Sequence, residues 1–157
     1  MAPPELLQQQ QPQRYVATDG TVFFDRARYR RHEMETQCTF RGEVGSSSLA
    51  RLPGSSTGGR PFNIVDCRDC RILLLDHTDQ VQIDNATGCR ILVGASSGSV
   101  VLRNCADCTL TVACRQFRAR DCRDCTVYLF CSTEPAIEGS TGLRFGGFNG
   151  AYPGHQE

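Results

Sequence analysis

From Phe62 onward the chain repeats itself, and the repeat limits the possible folds more than any other feature. Laid in register, the blocks FNIVDCRDCRILLLDHTDQ, VQIDNATGCRILVGASSGS, VVLRNCADCTLTVACRQ and FRARDCRDCTVYLFCSTE begin at Phe62, Val81, Val100 and Phe117, 19, 19 and 17 residues apart. A weaker turn, PAIEGSTGLRFGGF, begins 18 residues on at Pro135. Repeats of this length are the mark of stacked units that cannot bury their apolar face alone. Inside each block the apolar residues alternate (Phe62 and Ile64, Val81 and Ile83, Val100 and Leu102, Phe117 and Ala119), which is the period of a strand with one buried face. A second run follows the corner, as in Ile72–Leu74 or Val127–Leu129, and the corner carries Asp66, Asn85, Asn104 or Asp121. The pattern predicts an all-β chain, a right-handed parallel β-helix of about 17–19 residues per coil with equivalent residues stacked about 4.8 Å apart.

The remainder divides around that repeat. Residues 1–13 are rich in Gln and Pro and are expected to be disordered. Residues 14–61 form an N-terminal segment and cap with short β-type runs and one short helical turn, and the Gly/Ser-rich GSSSLARLPGSSTGGR within it reads as loop. The β-helix is assigned to 62–150 and a tail to 151–157. Seventeen Arg with no Lys balance seventeen Asp plus Glu, so net charge gives no support to a nucleic-acid partner. No apolar run reaches the roughly 18 residues of a membrane helix, and the start MAPPELLQQQ has neither the pattern of a signal peptide nor a Gly at position 2 for myristoylation. A cytoplasmic chain with no direct membrane anchor is expected.

Ten cysteines are many for such a chain. Three pairs have C-x-x-C spacing (Cys67/Cys70, Cys105/Cys108, Cys122/Cys125), and the last two pairs together resemble a four-thiolate zinc pattern slightly shortened. The other reading is that cysteine, a small apolar residue, recurs at two inward positions of each coil. The second block favours the core reading, because Ala86 stands where the first cysteine would be while Cys89 keeps the second. No metal site is assigned.

The stretch ACRQFRARDCRDC places Arg118 and Arg120 between residues that face the core, so both must face solvent. Stacking the blocks gives one outer column of Asn63, Gln82, Val101 and Arg118 and another of Val65, Asp84, Arg103, Arg120 and Glu138. Arg120 has ionic neighbours available in Glu138 and Asp84, whereas Arg118 stacks on a valine and a glutamine. A lone presented guanidinium is either a solvated surface charge or a group meant for a partner's phosphates. The pattern alone does not choose. The three histidines are not clustered, and GSSTGG lacks the spacing of a phosphate-binding loop, so no nucleotide site is assigned to the chain itself.

The motif ACRQFRARDCRDC, followed by FCSTEPAIEGSTGLRFGGF and preceded by RLPG, FNIVDCRDCRILLLDH and GSVVLRNCADCTLTVAC, resembles the tubulin-cofactor-C domain family from about residue 36 to 153. Phe117, where tubulin cofactor C itself tends to have Leu, sets the likeness nearer the family's retinitis pigmentosa branch. The resemblance implies a parallel β-helix and a GTPase-activating role. It implies that Arg118, the Arg of the family's Q-[FL]-R motif, is an arginine finger supplied in trans to an Arf-like small GTPase. Gln116, Phe117, Arg120 and Glu138 belong by the same resemblance to the partner-binding face, and Arg115 replaces the first Gln of the family's motif. GTP and Mg²⁺ would belong to the partner, with no cofactor in this chain. The alternatives it leaves open are a tubulin-binding folding cofactor acting on the GTP of β-tubulin and a non-catalytic scaffold at the cytoskeleton, cilium or basal body.

Overall fold

The computed structural model describes residues 11–55 and 59–149. The expected disorder of the first residues, as far as it concerns 1–10, and the tail at 151–157 lie outside them. The chain divides into two compact units, one up to Gln37 and one from Cys38 on.

In the first unit, β1 (Tyr15–Val16) and β2 (Val22–Phe23) pair antiparallel and are followed by α1 (Arg26–Gln37). Where the sequence suggests one short helical turn, the structure has a 12-residue helix. Its sequence, RARYRRHEMETQ, has too few apolar residues to show a stripe, so periodicity could not reveal it. Capping and a few specific contacts hold it instead. Asp25 Oδ1 accepts the Ala27 N–H at 2.8 Å, the N-cap geometry that occupies an orphan donor of the first turn. Tyr29 stacks on Tyr15 at 5.5 Å between centroids, and the buried Glu33 accepts both the N–H and the hydroxyl of Thr18.

The second unit is a parallel β-helix with two six-stranded sheets. The first sheet stacks β3 (Thr39–Arg41), β5 (Phe62–Val65), β7 (Val81–Asp84), β9 (Ser99–Arg103), β11 (Gln116–Arg120) and β13 (Ala136–Glu138). The second stacks β4 (Leu49–Arg51), β6 (Arg71–Leu74), β8 (Arg90–Ala95), β10 (Thr109–Cys114), β12 (Thr126–Cys131) and β14 (Arg144–Gly147). A third side is a single residue wide, a ladder of isolated bridges from Val44 through Arg68, Thr87, Ala106 and Arg123 to Thr141. The ladder therefore starts before Phe62: Thr39–Arg41, expected in the cap, and Leu49–Arg51, expected in a loop, form the first coil. That coil escapes the repeat because its corners are Gly42 and Gly45 rather than Asp–Cys pairs, and its inward Arg51 places a guanidinium 4.7 Å from the Phe40 ring centroid and 5.7 Å from that of Phe62.

The corners explain the repeat. Two residues per coil have left-handed backbone. One column runs Gly42, Asp66, Asn85, Asn104, Asp121 and Gly139, and the other Gly45, Asp69, Gly88, Asp107, Asp124 and Gly142, all with φ between 52° and 68°. Asn and Asp tolerate this region better than other residues with a Cβ, and glycine occupies it freely. Immediately after seven of these corners, all in the central coils, comes an inward cysteine. Cys67, Cys70, Cys89, Cys105, Cys108, Cys122 and Cys125 are buried, and each thiol lies within hydrogen-bond reach of the carbonyl two residues earlier, at 3.2–3.5 Å. Cysteine suits the position because it is small, apolar and a weak donor to a carbonyl at the turn. The C-x-x-C pairs are thus stacked core residues; hydrogen bonds to the cysteines stacked beside them, together with burial, push the Cys105 and Cys108 thiols up, and burial pushes that of Cys114 to about 12.

Two expectations follow. Replacing Asn104 by Gly should leave the melting temperature nearly unchanged, whereas Val should cost about 1–2 kcal/mol, the penalty of a left-handed residue with a branched side chain, measured by chemical denaturation. Nine of the ten free cysteines are buried and Cys131 is half-buried, so a thiol titration of native protein should count about one fast group, rising to all ten in denaturant.

Candidate functional site

The outer face of the first sheet carries the residues singled out by sequence, and β11 is the strand that presents them. Only Arg115 separates the end of β10 at Cys114 from the start of β11 at Gln116. This is the short coil of the repeat, and its turn is pinned on both sides. The Gly98 carbonyl accepts the N–H of Arg115 at 3.0 Å and of Gln116 at 3.3 Å. From the next coil, Cys131 Sγ and Thr133 Oγ1 each donate to the Arg115 carbonyl at 3.3 Å. Gly98 has no alternative: a Cβ there would stand 2.4 Å from the Asp79 carbonyl oxygen.

The predicted register holds. Arg118 lies between Val101 and Ala136, and Arg120 between Arg103 and Glu138. Along β11, exposed Gln116, Arg118 and Arg120 alternate with buried Phe117 and Ala119. A groove of about 600 Å³ opens on this face, with Gln82, Val101, Arg103, Arg118, Arg120 and Glu138 among its lining residues.

The arginines of the groove differ in how they are held. Arg103 is tied down, its Nε 2.9 Å from Asp84 Oδ1 and its Nη2 3.5 Å from Gln82 Oε1. Arg120 makes one long contact, Nε to Asp121 Oδ2 at 3.7 Å, between two exposed side chains. The sequence offered Asp84 and Glu138 to Arg120, but Arg103 takes Asp84, since it lies directly beside it in register. The sequence reading missed this pair, although both residues stood in its own column. Among the described residues, neither the Arg118 guanidinium nor the Glu138 carboxylate forms an ion pair or side-chain hydrogen bond. Arg118 has only a valine and an alanine as column neighbours, so nothing beside it in the sheet can accept its protons.

Phe117 has to be moved from the partner-binding set to the core. It is 1% exposed and meets Phe145 edge-on at 6.2 Å, because the alternation that turns Arg118 outward turns Phe117 inward. Phe117 can support the site only by anchoring the strand. Among the described residues no group of three or more His, Cys, Asp or Glu side chains is placed to hold a metal ion, and no helix is long and apolar enough to cross a membrane.

The family model for tubulin binding cofactor C matches residues 59–157. Protein XRP2 of Danio rerio is 46% identical over 108 residues, covering 69% of this chain and 28% of that protein. Tubulin-specific chaperone C of Bos taurus is 34% identical over 91 residues, covering 58% of this chain and 26% of that protein. This chain therefore spans less than a third of the length of these two relatives. Among solved structures, a cyclase-associated protein from Cryptosporidium parvum shares the fold with a TM-score of 0.60 at 16% identity, over 70% of this chain and 71% of that one.

The contrast between neighbours on β11 can be measured. Phe117→Ala should destabilise the protein by about 3–5 kcal/mol, the range for emptying a buried aromatic site, and Arg118→Ala by no more than about 0.5 kcal/mol, since that side chain has no partner to lose. Equilibrium denaturation of the two variants checks both.

Proposed function

This chain belongs to the tubulin binding cofactor C family, and from that premise we propose that it is a GTPase-activating protein that lends Arg118 in trans to an Arf-like small GTPase. The observation that carries the reading is the unpaired, exposed Arg118 on a strand whose backbone is held from both adjacent coils. A guanidinium already engaged, as Arg103 is, would have to break an ion pair before reaching a phosphate; Arg118 breaks nothing. Its planar fork suits the charge that spreads over the oxygens of a transferring phosphoryl group, and a finger of this kind accelerates hydrolysis by about 10³–10⁵. Holding the strand rigid means that little ordering remains to be done when the partner docks.

The surrounding residues take supporting parts. Gln116 and Arg120 flank the finger on the same face, and Glu138 offers a free carboxylate to a basic group of the partner. GTP and Mg²⁺ are the partner's, and this chain supplies side chains and no cofactor. Tubulin is a second partner to test, because relatives bearing the name tubulin-specific chaperone C also match this chain.

Single-turnover GTP hydrolysis by an Arf-like GTPase, with this protein in excess, tests the reading. The wild type should accelerate the reaction by about 10³-fold or more, Arg118→Ala should abolish the effect, and Arg118→Lys should lose nearly as much because an ammonium cannot make the two-pronged contact. A lysine variant that keeps most of the activity would sink the finger mechanism. Failure of every form to accelerate hydrolysis, together with co-sedimentation of the chain with tubulin, would move the assignment to tubulin handling.

A further inference from the structure

The second sheet has an outer face of its own, formed by other residues than those around Arg118. In its registered columns Arg71 is followed by Arg90 and then Thr109, and beside them Leu73 by Leu92 and then Thr111. These side chains line a groove of about 460 Å³, and Asn149, two residues past the end of β14, lines it too. Among the described residues no acidic one lines it.

Two arginines in directly paired positions of adjacent parallel strands stand about 4.8 Å apart at the backbone, and like charges so placed repel. Elsewhere on this β-helix a paired outer position is relieved by an acid, as Asp84 relieves Arg103. Here no described residue does so. Among the described residues neither Arg71 nor Arg90 makes an ion pair or a side-chain hydrogen bond. Asp69, at the corner before Arg71, instead turns its carboxylate over Gly88, where a Cβ would be only 2.3 Å from Oδ1. A cationic pair left uncompensated beside two half-buried leucines is complementary to a ligand that brings both carboxylates and an apolar side chain. A free inorganic anion would leave the leucines unused.

We propose that this groove binds an acidic, extended peptide segment of a partner protein, with a carboxylate bridging Arg71 and Arg90 and an apolar side chain resting on Leu73 and Leu92. The arrangement resembles other peptide docking modes in which arginines read acids and a pocket reads the neighbouring side chain. It makes no use of Arg118, so this surface and the GTPase-facing one can be occupied together.

Fluorescence anisotropy with a fluorescein-labelled decapeptide of glutamates and leucines tests it. The wild type should bind the probe, more weakly as salt rises, while a basic peptide of equal length should not bind. Arg90→Glu should weaken binding by about tenfold or more. This variant should also fold, because the new glutamate stands beside Arg71 and replaces a repulsive pair with an attractive one; thermal melting confirms it. Leu92→Thr should weaken binding severalfold, and Arg118→Ala should leave it unchanged, which separates this proposal from the finger reading. Absence of peptide binding up to millimolar concentration overturns the proposal, as does equal binding by Arg90→Glu. Binding of phosphatidylserine vesicles or inorganic phosphate in place of the peptide, with the same dependence on Arg90, overturns it in favour of a lipid or small-anion site.

Discussion

The β-helix depends on a backbone conformation that most residues avoid. At two corners of every coil the chain takes a left-handed turn, and only because the same two positions do so coil after coil can the strands stack in register. Each such residue with an ordinary side chain would cost about 1–2 kcal/mol, and a dozen of them would make the fold untenable. Glycine, asparagine and aspartate escape most of that cost, so the corner columns contain nothing else. The stacking brings its own interactions, as where Asn85 Nδ2 donates to Asp66 Oδ1 of the preceding coil at 3.0 Å. Aspartates stacked at one coil's spacing would repel, and asparagine or glycine separates them everywhere in the two columns except between Asp107 and Asp124.

Once the corners are set, the interior has little freedom. In the central coils, from Asp66 to Asp124, the residue after each corner points inward and is Cys or Ala, never one of the larger apolar residues that fill the sheets. Cysteine adds a donor close to a turn carbonyl without adding a charge. Inwards from the two sheets, Phe62, Ile64, Ile83, Leu102 and Phe117 on one side meet Ile72, Leu74, Leu110 and Val127 on the other. The same alternation sends every other residue to solvent, so the candidate face is a by-product of core packing: the strand that buries Phe117 and Ala119 must expose Gln116, Arg118 and Arg120. Varying one outer residue per coil leaves the core untouched. A β-helix can therefore carry a reactive arginine at little cost to stability.

What separates one outer arginine from another is the residue one coil away. Arg103 neighbours Asp84 and is fixed by it, Arg120 reaches only to Asp121, and Arg118 neighbours a valine and an alanine. The electrostatics of the groove thus follow from stacking register rather than from overall charge, which is zero. Arg71 and Arg90 on the other sheet obey the same rule with the opposite result, a like-charged pair that no described residue relieves.

Most of this was legible along the chain because a β-helix turns sequence period directly into spatial neighbourhood. The repeat from Phe62, the strand alternation, the columns through Arg118 and Arg120 and the inward cysteines could all be read by laying the blocks in register. The first coil could not, since glycine corners and an inward Arg51 erase the Asp–Cys signature, and neither could α1, whose polar sequence has no stripe to detect. Nor did the columns say which acid each arginine would take; alternation had already turned Phe117 inward, and only the resemblance set it on the partner-binding face. The sequence by itself determined which residues share a column and which face they occupy, because strand period and coil length are local properties of the backbone. Only the tertiary structure decided which charges are paired and which are left free, because that depends on side-chain distances of a few ångströms across coils, where one carboxylate satisfies a single guanidinium and leaves the next exposed.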